Sequence, residues 1–284
     1  MNPKRSGVLK AVAILAGALL VSTGVRLEAA DIRPETIQAW ESYIKSEERR
    51  IAYELASDNK FLALDFLDAD EAAAEKREIL GGEIAVNRID IKQDGHEFEV
   101  PYGTIQHWRG SIFIPGVNMD FVMVHVQDPE KEEHLQEDVI ESRVLERGPD
   151  YYRIFFKLQR SYLVTVIYNT EHIVHFRRHG EMRASSNSIS TKIAEVERLD
   201  GNLEREKPVG EDRGFLWRMN SYWRYQQTDG GVIIECESMT LSRSVPFIIA
   251  PIARPIINSI ARDSMERTLL SLRERLLRAA GRQP

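Results

Sequence analysis

Three histidines at 172, 175 and 179 are the first residues whose types and spacing suggest chemistry, because imidazoles that converge on one ion make a metal centre. On a strand, positions 172 and 175 point to opposite faces, so no shared ion and no metal site is expected. His107, between Gln106 and Trp108, reads as a packing or surface histidine rather than a general base. The run Ser185, Ser186, Ser188, Ser190 and Thr191 lacks the G-x-S-x-G elbow and an evident His/Asp partnership. Its small side chains read either as an exposed strand face or as room left for a ligand. Cys236 is the only cysteine and lies in an apolar run, so it reads as core filling, and one thiol cannot close an internal disulfide. No residue set declares a reaction, and no cofactor is implied.

The richest constellation is a hairpin near the end of the chain. Pairing Thr228 with Gly231 around Asp229-Gly230 sets Tyr225 opposite Ile234, Trp223 opposite Cys236 and Ser221 opposite Ser238 on one face. The other face pairs Arg224 with Glu235 and Tyr222 with Glu237. In one reading, Trp217, Met219, Ser221 and Trp223 face a helix, while Arg218, Arg224, Glu235 and Glu237 form a solvated cross-strand network. In the other, the charged face lines a cavity, and Arg218, Tyr222, Arg224 and Glu237 are the polar groups that would meet a ligand or serve an enzyme.

Apolar residues at 37, 40, 44, 51 and 55 recur at helical spacing over 31–55, and an Ala/Glu-rich helix over 68–80 stops at Gly81-Gly82. The pattern then turns to strands, over 84–91, 97–100 and 104–114. A short helix follows over 117–126, with Asn118 as its cap. Six more strands are expected over 139–145, 151–159, 162–176, 182–196, 215–227 and 231–241, with a polar loop over 200–213. A last amphipathic helix over 255–279 carries the stripe Ile257, Ala261, Met265, Leu269, Leu272 and Leu276.

This order resembles the START-like, helix-grip superfamily of lipid-transfer domains and polyketide cyclase-like proteins. The stretches that carry the resemblance are WRGSIFIPGVNMDFVMVHVQD (108–128) and SYWRYQQTDGGVIIECESMTLSRSVP (221–246) with the helix that follows. It implies an α+β fold in which a curved antiparallel sheet wraps a long C-terminal helix, with a helical extension over 31–82 and the main domain over 83–280. It also implies a cavity beneath that helix, lined by Trp217, Met219, Ser221, Trp223, Ile257, Ala261, Met265 and Leu269. The expected function is binding of a lipid or other hydrophobic molecule, with its transport as an extension. A cyclase- or hydrolase-type enzyme using the same cavity and an envelope interaction protein are the alternatives, and the superfamily has no universal catalytic set to carry over.

Two further features bound the function. Lys4, Arg5 and Lys10, an uncharged run over 11–21 and Ala29-Ala30 have the layout of a signal peptide over 1–30, which implies a periplasmic or secreted protein. Without that segment, which holds four cations and one anion, the net charge moves from −6 to −9, so nucleic acid is excluded as an expected partner. Phe247, Ile248 and Ile249, in the most apolar stretch of the remaining chain, read as packing at the helix entrance or as a lip that touches a bilayer.

Overall fold

Alternating apolar and polar residues dominate the second half of the chain, and that period of two builds one large sheet. The computed structural model describes residues 32–93, 95–127, 138–161, 165–199, 203–246 and 249–281. Helix α1 (Pro34–Leu55), a 3-10 turn (Ala63–Phe66) and helix α2 (Ala69–Leu80) come first. Strands β1 (Ala85–Arg88), β2 (Lys92–Gln93), β3 (His96–Glu97) and β4 (Gly103–Pro115) follow, then α3 (Met119–Val126). The main run is β5 (Val139–Arg147), β6 (Tyr151–Ser161), β7 (Thr165–Arg178), β8 (Arg183–Arg198), β9 (Glu204–Glu206), β10 (Arg218–Thr228) and β11 (Gly231–Arg243). Helix α4 (Ala250–Ala279) ends the described chain. The sheet is antiparallel and curved, in the order β1-β4-β11-β10-β8-β7-β6-β5, with β9 added to the far end of β8.

Local chemistry explains most boundaries. Pro34 starts α1, where its missing N–H costs nothing. Asn118 caps α3 by accepting a hydrogen bond from the Phe121 amide at 2.8 Å, as expected. The Asp229-Gly230 turn, with Gly230 at φ +86°, closes the β10–β11 hairpin in the expected register, from Thr228↔Gly231 through Trp223↔Cys236 to Ser221↔Ser238. Three expectations need correction. The strand expected over 97–100 shrinks to Glu97, the loop over 200–213 contains the short β9, and the final helix begins at Ala250 with Pro255 inside it. At 30 residues α4 is about 45 Å long.

Both faces of the sheet are covered. On one side Met265, Leu269, Leu272 and Leu276 of α4 pack on Trp108, Ile112, Ile234 and Cys236. On the other, Trp40, Tyr43, Ile44 and Ile51 of α1 pack on Ile105, Tyr222, Met239 and Leu241, each contributing about 2 kcal/mol by removal of apolar surface from water. Phe61, Leu62, Leu64 and Ile79 add a smaller cluster over Ile233. The helices that precede the sheet are therefore a layer of the fold. The signal-peptide pattern over 1–30, and Phe247 and Ile248 of the apolar lip, lie outside the described residues; Ile249 is half-buried just before α4.

Candidate functional site

Strands β10 and β11 lie at the centre of the sheet, and their alternation assigns every side chain to one of the two layers. Toward α4 point Met219, Ser221, Trp223 and Tyr225 of β10 and Ile234, Cys236, Ser238 and Thr240 of β11. The neighbouring strands add Trp108 and Gly110 from β4, Ser186, Ser188 and Ser190 from β8, and His172 from β7. Contact with α4 is closest at Gly110, where an added Cβ would lie 2.6 Å from Leu269 Cδ1 and 2.7 Å from Met265 Cγ. The helix thus rests directly on β4.

Further across the sheet the helix fits less tightly. Met219, Ser221, Trp223, Ser238 and Thr240 are only half-buried, although they sit on the central strands and face the longest helix. Their neighbours on the opposite face, Asn220, Tyr222, Arg224, Glu237 and Met239, are all buried. Serine side chains are small, so Ser186, Ser188, Ser221 and Ser238 leave room on this face of the sheet. Of the residues expected beneath the terminal helix, Trp223, Ala261, Met265 and Leu269 do share one apolar cluster. Met219 leans toward Val139, Leu158, Val166 and Tyr168, Ser221 accepts from Trp223 Nε1 at 3.2 Å, and Ile257 is half-buried on α4. Trp217 is a correction, because it packs with the α1 layer and donates through Nε1 to Asp212 at 3.1 Å. It precedes the first residue of β10, so strand alternation does not govern it.

The charged face of the hairpin is a larger correction. Arg224, Glu235 and Glu237 are at most 2% exposed, covered by α1 and the 3-10 turn rather than solvated. Arg224 reaches Glu54 of α1 at 2.5 Å, Glu237 at 3.0 Å and the Phe61 carbonyl at 2.9 Å. Arg50 bridges Glu47, Glu54 and Glu237, and Tyr222 donates to Glu48 at 2.8 Å. Glu235 accepts the Ala63 and Leu64 amides at the start of the 3-10 turn. Arg218, half-buried at the strand start, donates to the Trp217 carbonyl at 2.8 Å. The four polar candidates therefore do not line a space under α4, and Arg224 and Glu237 are occupied by each other and by α1.

The electrostatics of this layer follow from burial. Burial alone would raise Glu237, but a hydrogen bond with His107 and the Arg50 and Arg224 guanidiniums hold it well below the usual carboxylate range. Glu235, also buried, lies further from Arg224 and beside Glu237, and is pushed up to about 7. Glu47, His107 and Glu237 bring ligand-type atoms within 4.8 Å of one another. The Arg50 guanidinium already sits between the two carboxylates, so the set is internally neutralised and makes no case for a metal. His172 and His175 do face opposite sides: His172 is buried toward α4, while exposed His175 edges a pocket of about 420 Å³ beside α1 that also touches Ala52, Asn187, Tyr222 and Arg224.

His172, weighed in the sequence only as a metal ligand, lies on the serine-bearing face of the sheet. It is 2% exposed, its Nδ1 lies 3.2 Å from Ser188 Oγ, and its ring meets Phe156 edge-on. Burial pushes it down to about 4. Its position on the serine-facing side of β7 was the one available signal.

No family model and no curated protein matches the chain. Among solved structures it is similar in outline to a STAR-related lipid transfer protein from Xanthomonas axonopodis, at 16% identity and a TM-score of 0.46 over 68% of this chain and 93% of that one. Human STARD10 matches at 10% identity and 0.46, over 78% and 84% of the two chains. The Zhui aromatase/cyclase of Streptomyces sp. R1128 matches at 10% identity and 0.44, over 62% and 96%. The fold is the helix-grip fold. Its ground is the geometry described above: one curved antiparallel sheet with a long terminal helix packed on β4 and β1.

Proposed function

We propose that this protein, a START-like exported member of the helix-grip proteins, binds a hydrophobic small molecule or lipid without covalent chemistry, between α4 and the serine-lined centre of the sheet. The observation that carries this reading is the half-exposure of Met219, Ser221, Trp223, Ser238 and Thr240 on central strands where the opposite-face neighbours Asn220, Tyr222, Arg224, Glu237 and Met239 are buried. A long chain or ring system laid there would cover the half-buried Met219 and Trp223, with affinity supplied by apolar burial at about 25 cal/mol per Å². Ser186, Ser188, Ser190 and Ser221 would tolerate a guest because each already has a protein partner, in Tyr225, His172, the Met219 amide and Trp223 respectively.

The cyclase alternative draws no support from Arg224 and Glu237, which are paired with each other and with α1 on the other side of the sheet. The reading is tested by native mass spectrometry and organic extraction of protein purified from its own host, together with uptake of the neutral fluorophore N-phenyl-1-naphthylamine. A stoichiometric apolar molecule, or saturable fluorophore binding that Ser221→Trp abolishes, is the expected result. A clean apoprotein that also fails to take up the fluorophore overturns it.

A further inference from the structure

The α4-facing side contains two nearly fully buried side chains with a polar atom that has no partner among the described residues: His172 at Nε2 and Tyr168 at its hydroxyl. Both lie on β7, on the face that carries Thr170 between them, about 13 Å apart at the rise of a strand. Thr170 satisfies itself by donating to the Phe156 carbonyl at 3.2 Å. An orphaned polar atom in a dry interior is costly, so it marks either strain or a place where a guest supplies the missing partner. His172 is the better placed of the two. It adjoins Ser188 and Ser190, whose strand pairs directly with the half-exposed Ser221 and Trp223.

Building on the binding site argued above, we propose that His172 orients the guest, its Nε2 meeting the hydroxyl of a neutral alcohol with an apolar body. The bond between Nδ1 and Ser188 Oγ can run in either direction, which leaves Nε2 as a donor or as an acceptor. A hydroxyl both donates and accepts, so it satisfies either tautomer, whereas a carbonyl oxygen satisfies one only. Burial keeps the ring uncharged at neutral pH, so it offers no attraction to a carboxylate or phosphate. The assigned ligand class is therefore a long-chain alcohol rather than an acidic lipid.

The test is displacement of N-phenyl-1-naphthylamine from the full chain by 1-decanol and by 1-chlorodecane, which present similar apolar surface. The wild type is expected to prefer the alcohol, and His172→Phe to lose about tenfold of that preference, read as the ratio of the 1-decanol to 1-chlorodecane displacement constants. Nitrogen-15 shifts of the wild-type imidazole give a second readout that needs no variant, with Nε2 expected to move on addition of 1-decanol. If the fluorophore binds but both competitors act equally and Nε2 does not move, the assignment to His172 is overturned and the pocket stands. If the fluorophore does not bind at all, the pocket reading falls and this inference with it.

Discussion

Arg224 of β10 and Glu54 of α1 lie 2.5 Å apart across 170 residues of chain, both buried, and this contact joins the first helix to the middle of the sheet. Two charges withdrawn from water gain little net stability even when well paired, but losing one partner leaves the other stranded. The pair therefore sets where α1 docks more than how firmly it does so.

Replacing Arg224 by Ala leaves the buried Glu54 and Glu237 with Arg50 as their one shared cation. The expected loss is about 3–5 kcal/mol of unfolding free energy, measured by urea denaturation. A triple change to Arg224→Met, Glu54→Gln and Glu237→Gln is expected to recover most of that loss. If the single change costs less than 1 kcal/mol, the buried network is not as tightly held as its distances indicate.

Two buried groups should oppose each other as pH changes. Glu235 titrates at about 7 in the folded chain and near 4.5 unfolded, so its contribution is full below 4.5 and is lost as pH rises toward 7. His172 titrates at about 4 folded and near 6.5 unfolded, so its contribution is full above 6.5 and is lost as pH falls toward 4. Each effect is worth up to about 3 kcal/mol, and between 4.5 and 6.5 they cancel. Glu235→Gln should unmask a stability that rises with pH across that window, and His172→Phe one that falls. Parallel slopes in the two variants would contradict both assignments.

At Gly110 the fit of α4 can be probed directly. Gly110→Ala places a methyl against Leu269 and Met265, and should cost about 1–3 kcal/mol through overpacking. Adding Met265→Ala should return part of it, since the clashing Cγ is then gone. A neutral Gly110→Ala would show that the helix does not rest on β4.

Cys236 reports whether α4 stays in place. The thiol is 2% exposed beneath the helix and raised by burial, so a disulfide reagent such as DTNB should label it only as fast as the protein opens. Labelling within seconds under native conditions would mean that the helix swings away from the sheet. Slow labelling that quickens in urea is the expected outcome.

Local rules settled much of this molecule. The Asp229-Gly230 turn and the alternation on either side determine that Arg224 opposes Glu235 and Trp223 opposes Cys236, because strand pairing has a period of two and the turn pins its register. The helical spacing of Trp40, Ile44 and Ile51 likewise announces an amphipathic α1. That same period says only that the two faces of a strand differ, and nothing about what covers either one. Whether the charged face met water or α1 was decided by contacts such as Arg224 with Glu54 and Glu235 with the Ala63 amide, which join residues more than 160 positions apart. Trp217 fell to the α1 side for a related reason: it lies one residue before the strand whose alternation would have placed it. His172 gained its significance only in three dimensions, where burial and an unpartnered nitrogen follow from the fold around it and leave no mark in the order of the residues.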